Sequence, residues 1–398
     1  MTLTNTSAPG QAAAVIDQLC DLKGKLDDPN ARQKALQLSR ALATGLEDPV
    51  NVAIDRIFAP FISVAARIAV DLGLFKHIAN HGSPITSKEL AKLSGGEELL
   101  IIRILRPLSS TGMVAEVSEM TWTGNAVTHV LATDAISSGY RMVGDMIIGA
   151  AQKSPKYFRE AGYRCPTNPN DGFMQYAFQT KLNVFEFFAS MPDVLQDFNG
   201  FMGNTMGARG YWTDWFPVER HLLKDYHDDS ESALLVDVGA GRGHDILAFQ
   251  EKYSGKGRLV LQDLAVITDS LDGIDPGIEC MAHDFFTEQP VKGARAYFYH
   301  HILHDWSDEK CLEILAELRK AMKPGYSKLL IHEMILPEQG AATFYSMLDM
   351  TMMSFNSGME RSKRLWTELI DKAGLKVVKF WSAPEEGADG IIEVILEA

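Results

Sequence analysis

The sequence predicts two domains, a mostly helical one with helix–turn–helix–wing patterning followed by an α/β one built on a mostly parallel sheet. Three observations carry this. At 398 residues the chain is too long for one ordinary core. Helical spacing of apolar residues fills the first half. After Asp228-Asp229-Ser230 strands and helices alternate, the pattern of a parallel sheet covered on both faces.

In order, residues 1–12 read as a disordered tail. From Ala14 to about Ala43 the chain reads helical, broken near Asp27-Asp28-Pro29. NVAIDRIFAPFISVAARIAVDLGLFKHI spaces its apolar residues at three and four and carries few charges, so it must bury both faces, in a core or against a second chain. Thr86 with Glu89 three residues on is a capping-box signature for a short helix. Gly95-Gly96 separates it from a second helix, Glu97 to Ser109, and MVAEV and MTWT read as a small β-wing. The first domain is assigned to 13–130, a helical linker and substrate-pocket segment to 131–228, and the α/β domain to 229–398. There ALLVDVGAG, GRLVLQDL, ARAYFYHHIL, SKLLIHEMIL, LKVVKFWSA and GIIEVILEA read as strands, and HDILAFQEKY, CLEILAELRKAM and RLWTELIDKAG as helices.

Hydrophobic residues make up 46% and charged residues 23%, a globular balance, and the formal net charge of −14 argues against a nucleic-acid or anionic-membrane partner. The winged pattern invites a DNA-binding reading, but EELLIIRILRPLSSTG offers only Arg103 and Arg106 as cations. Cys20, Cys165, Cys280 and Cys311 are far apart and form no CxxC pair, which fits reduced thiols in the cytoplasm. The N-terminus carries no secretory pattern, and no apolar run reaches the ~18 residues of a membrane span.

The strongest local signal is the apolar strand Leu234 to Val238 running into Gly239, Gly241 and Gly243 and then a helix. Glycines let the backbone turn sharply and approach a ligand, and the helix N-terminus offers N–H groups to an anion. A dinucleotide fingerprint needs a third glycine at 244, where His244 stands. The form is instead G-x-G-x-G, that of S-adenosylmethionine enzymes. Asp263, followed by Leu264, ends the next strand, where a carboxylate can accept both ribose hydroxyls of an adenosyl group. Asp284 follows a further short strand and would lie near the adenine, with Phe285 or Phe286 stacking. Either aspartate also suits a solvated loop or a helix cap.

With these residues in place, the chain resembles the plant and fungal small-molecule O-methyltransferases of the caffeate and flavonoid type over roughly residues 50 to 398. The likeness rests on ARIAVDLGLF, LLVDVGAGRG, LVLQDL, AHDFF, ILHDWSDEKC, IHEMILPE and GMERSKRLWTELIDKAGL. It implies a Rossmann-like S-adenosylmethionine-dependent methyltransferase domain preceded by a winged-helix-like dimerisation domain, a homodimer and a small-molecule substrate. It implies that His304 of the HDW motif is the general base. An imidazole suits the task, since a phenol's pKa is about 10 and an unperturbed histidine's about 6.5. Glu333 and Glu360 would orient it, and Asp305 would meet the substrate hydroxyls or help positioning.

The family's lysine four residues before the histidine is His300 here, which can still donate a hydrogen bond to the cofactor. His300, His301 and His304 diverge at a strand end without an acidic oxygen cluster, so no metal site is expected. His129 is a candidate over the substrate pocket, or a packed or surface histidine. Phe185, Phe187, Phe188, Met191, Phe198 and Met202 form an aromatic and methionine stripe, either core or apolar pocket wall, with Phe188, Phe198 and Met202 the residues assigned to substrate. The competing activity is that of a relative that binds S-adenosylmethionine without methylating, a pericyclase or dehydratase of natural-product biosynthesis.

Overall fold

The computed structural model describes residues 8–203, 210–226, 232–384 and 387–398. The expected tail falls partly outside these residues, as does the expected boundary at 228/229. From Ala8 the chain is helical, to Asp21. Two compact units divide at His129/Val130.

In the first unit the helix Pro29–Leu46 is capped by Asp28, whose carboxylate accepts the Ala31 N–H. The apolar stretch expected as one helical run is three helices, Pro49–Phe58, Pro60–Asp71 and Leu74–His81. Pro60 cannot continue the ladder of the preceding turn, and Gly73, at φ 62°, breaks the second junction. The capping box forms: Thr86 N–H donates to Glu89 and Glu89 N–H donates back to the Thr86 hydroxyl. Helices Ser87–Ser94 and Glu98–Ser110 precede a small antiparallel sheet of β1 (Ile85–Thr86), β2 (Ala115–Ser118) and β3 (Thr121–Thr123), with β3 central. Trp122 is fully buried there, its indole N–H on Ser109. Among the described residues no single helix is long and apolar enough to cross a membrane.

The second unit opens with helices. Asp134–Met142 packs on Pro192–Phe201, with the Arg141 guanidinium on Asp197. The sheet follows: β4 (Ala233–Val238), β5 (Arg258–Asp263), β6 (Ile278–Ala282), β7 (Ala296–His300) and β8 (Lys328–Glu333), then β11 (Lys376–Trp381) and β12 (Gly390–Ile395). The short parallel pair β9 (Ile335–Leu336) and β10 (Arg361–Ser362) lies outside it. The order is β11-β12-β8-β7-β4-β5-β6, with β4 to β8 parallel and β12 antiparallel to both of its neighbours. The five parallel strands are largely apolar because helices cover both faces. One face buries Trp366, Ile314 and Leu318 from the helices Lys363–Lys372 and Asp308–Ala321. The other buries Trp212, Phe249 and Tyr253, with Trp212 stacked 4.7 Å from Phe298. The order reverses around β4 and β7, and a crevice at the carboxyl ends of such strands is where α/β folds bind ligands.

Gly139 marks how tightly the helical layer is packed. A Cβ there would stand 2.6 Å from the Phe201 ring. Gly139→Val should therefore destabilise by roughly 1–3 kcal/mol through overpacking, more than the few tenths gained in helix propensity. A urea midpoint equal to the parent's would contradict this packing.

Candidate active site

The chain leaves β4 through Gly239, Gly241 and Gly243, with φ of 72°, 55° and 77°. A Cβ at 239 would stand 2.5 Å from Ile302 and one at 243 would stand 2.6 Å from Leu261, whereas Gly241 faces open space. Asp263, at the end of β5, comes back to this loop. One carboxylate oxygen accepts the Gly241 N–H at 2.7 Å and the other accepts the Leu264 N–H at 2.7 Å. Burial pushes its carboxyl up, and the two N–H bonds oppose that. Each oxygen keeps a lone pair for a ligand hydroxyl. The Leu264 side chain is half exposed. Phe285 lies 3.8 Å from where a Gly239 Cβ would stand. Asp284, exposed beyond β6, accepts the Phe286 N–H and so caps its own turn. Open space over Gly241, a carboxylate with spare acceptors and an adjacent aromatic ring fit an adenosyl group.

His300 ends β7, and its Nδ1 lies 2.7 Å from Asp245, two residues beyond the glycine loop. Its ring neighbours are His301 and His332.

His304 sits on the short turn after β7 and is buried. Its Nδ1 is 2.8 Å from Glu360, which sits just before β10. Glu333, fully buried at the end of β8, is 3.6 Å from the same nitrogen. Its other oxygen accepts the backbone N–H groups of Ile302, Leu303 and His304. The two glutamates therefore divide the work: Glu360 holds the ring and Glu333 holds the turn that carries it. Asp305 is 3.7 Å from Nε2. Burial pulls the His304 imidazole down, but Glu333, Asp305 and Glu360 outweigh it and push it up to about 10. Burial raises Asp305 to about 6 against the attraction of His304, and it raises Glu333 as well. His301 carries φ 51°, a backbone strain seen at functional turns, and its ring stacks 4.9 Å from His304.

Of the stripe, Phe188 is 1% exposed inside the helical core, and Phe198 packs against it at 5.8 Å. Phe185 is the ring that reaches Trp306 of the HDW turn, at 6.2 Å. Met202 is half-buried at the end of Pro192–Phe201. His129 is exposed and belongs to the other unit.

Residues 190–376 match the O-methyltransferase domain, and residues 55–134 match the O-methyltransferase dimerisation domain. The chain is 46% identical to the O-methyltransferase penC of Penicillium thymicola, over 99% of this chain and 100% of that one. The chain belongs to the O-methyltransferase family. Its fold matches LepI in complex with S-adenosylmethionine at a TM-score of 0.85 and 30% identity, covering 98% of this chain and 100% of that one. A structure described as a pericyclic reaction enzyme matches with the same TM-score, identity and coverage. S-adenosylmethionine is the cofactor of this methyltransferase.

Two residues of the methyltransferase that sequence reasoning missed build the His304 turn. Arg361, fully buried, donates to the carbonyls of Leu303 and Trp306 and to Asp308. Gly358 passes so close that a Cβ would stand 2.2 Å from the His304 carbonyl oxygen and 2.7 Å from the Asp305 carbonyl carbon. The GMER stretch contained both, but nothing local told them from ordinary turn residues. Because the obstacle is backbone, Gly358→Ala must displace the turn. Its kcat should fall by about 10²-fold, the cost of an ångström's misplacement, while cofactor affinity holds. Unchanged kcat in a steady-state assay would refute that reading of the turn.

Proposed function

We propose that the enzyme methylates a hydroxyl of an aromatic or polyketide-type secondary metabolite, with His304 as the general base. One observation carries the base assignment: Glu360 engages Nδ1, which leaves Nε2 as the ring's acceptor. When bound, S-adenosylmethionine supplies an electrophilic methyl on a positively charged sulfur. Nε2 takes the hydroxyl proton as the oxygen attacks, and Glu333, Glu360 and Asp305 hold the resulting imidazolium. Gly239, Gly241, Gly243, Asp263, Asp284 and Phe285 hold the adenosyl end, and His300 lies beside the glycine loop's helix. Aromatic rings near Trp306, Phe185 among them, suit a flat acceptor. We read the protein as cytoplasmic, acting on a small molecule and not on nucleic acid or membrane.

An imidazole raised to about 10 is protonated at neutral pH, so the base form must be recovered. Below its pKa the base is blocked, and kcat/KM should climb with pH through the neutral and alkaline range. Asp305→Asn removes one negative charge beside Nε2 and should move that limb to lower pH. His304→Ala should lower kcat by roughly 10²–10⁴ while leaving cofactor affinity near the parent's. S-adenosylhomocysteine release, measured with the true acceptor, checks both. Product formed without it would favour the second reading, raised by the likeness to a pericyclic reaction enzyme, in which the cofactor is bound but not consumed.

Residues 55–134 match a dimerisation domain, and Ile57, Phe58 and Phe61 in the helices there are 70%, 60% and 66% exposed. An apolar row of this kind serves an isologous dimer. The parent should scatter light as two chains and the double variant Ile57→Glu/Phe61→Glu as one. A parent mass of one chain at micromolar protein would oppose the dimer.

A further inference from the structure

Spacing along β7 alone argues against a metal, because His300, His301 and His304 diverge. Sheet register supplies what the spacing lacks. His300 and His332 are opposite partners on the adjacent parallel strands β7 and β8, so their side chains leave the same face side by side. Their ring centroids are 4.1 Å apart. Asp245, on the helix that follows the glycine loop, places a carboxylate oxygen 2.7 Å from His300 Nδ1. One ligand atom from each of Asp245, His300 and His332 lies within 4.8 Å of the others. None of the three belongs to the His304 cluster.

His332 is 6% exposed, and its Nδ1 is buried without a hydrogen-bond partner. A ring nitrogen in that condition is costly unless something binds it. The residue lines a cavity of about 40 Å³, shared with Asp245, His300, His244 and Asp389, which has room for an ion and a water. Asp389 also lies 3.1 Å from His301 Nε2 and 4.0 Å from His300 Nε2. It thus stands as the kind of outer carboxylate that fixes ligand imidazoles.

We propose that Asp245, His300 and His332 form a binding site for a divalent transition-metal ion of the zinc class. Two imidazoles and one carboxylate lining a small cavity are the donor set such ions select over calcium or magnesium. In a four-coordinate zinc site the donors stand about 3.4 Å apart, so Asp245 and His300, now 2.7 Å apart, open around the ion while the wider pairs, within 4.8 Å, close on it. The ion would tie the helix after the glycine loop to the ends of β7 and β8.

The test uses the full chain, stripped with chelator and titrated with Co²⁺, whose d–d absorption reports inner-sphere donors without reference to methyl transfer. One Co²⁺ per chain should bind with a visible d–d band and be displaced by Zn²⁺. His332→Ala and Asp245→Asn should each lose the band or weaken binding by at least about tenfold, with far-ultraviolet circular dichroism confirming the fold. His81→Ala, on an exposed histidine elsewhere, should leave the titration unchanged. No band for the parent protein at saturating Co²⁺ would overturn the site. So would an unchanged band and stoichiometry in both folded triad variants, which would place the ion elsewhere. If the variants misfold, the parent titration still decides: stoichiometric Co²⁺ with nitrogen and oxygen donors supports the site, and its absence removes it.

Discussion

The turn over 302–306 depends on the contact between His304 and two buried carboxylates. Glu333 and Glu360 are both almost wholly removed from water. Lone carboxylates in such a place would be expensive. What makes them tolerable is the imidazole between them, three backbone N–H groups on Glu333, and the buried Arg361 nearby, which fastens the same turn. Removing one of these partners would leave a buried charge or hydrogen-bonding group less well compensated. The turn over 302–306 is thus fixed by charge as well as by packing, and its fixity lets one ring nitrogen be presented in a defined direction.

Topology makes the arrangement possible. Glu333 ends β8 and His304 follows β7, its neighbour, so parallel pairing brings the two together at one edge of the sheet. Glu360 arrives from another direction, on the segment that leads into β10. The glycine loop and Asp263 stand at the same edge, at the ends of β4 and β5. The groups proposed to bind the cofactor and to handle the proton therefore share an edge because their strands are parallel and adjacent.

This explains what the sequence made legible. The glycine loop, the acidic residue after β5 and the His304 turn are local spacings, and each could be read without knowing what lies across from it. The sheet was readable as β–α alternation, although the antiparallel β12 was not, since its apolar run carries no direction. Residues that matter through proximity across the chain were hidden. His332 becomes a neighbour of His300 only once the register of β7 and β8 is known. Gly358 and Arg361 acquire their roles only when the chain returns under the turn. In the aromatic stripe, helical spacing could not say which ring faces inward: Phe188 is core, while Phe185 reaches Trp306. In the long apolar stretch the periodicity persists across Pro60 and Gly73, where the backbone breaks, so spacing alone does not mark the breaks.

The same charge cluster sets stability against activity. His304 holds its proton up to about 10 in the folded protein against an ordinary 6.5. The folded state therefore binds the proton more tightly, and that stabilisation is fully present below about 6.5 and is lost as pH rises through about 10. Asp305, raised from 3.8 to about 6, acts in the same sense over a lower window. Glu333, also raised, again favours the protonated folded state. Asp389 and Glu393 run the other way: their depressed values give stability at neutral pH that is lost in acid. Above neutrality His304 and His300, both raised to about 10, set the trend, and in the proposed mechanism every step that frees His304 to accept a proton also withdraws part of what holds its turn. In the proposed mechanism a positively charged cofactor beside the cluster would ease that conflict, because it would take over from the imidazolium the task of balancing the buried carboxylates. Cofactor binding would then do two things at once. It would lower the cost of a neutral His304, and it would keep the turn in place while the histidine accepts a proton.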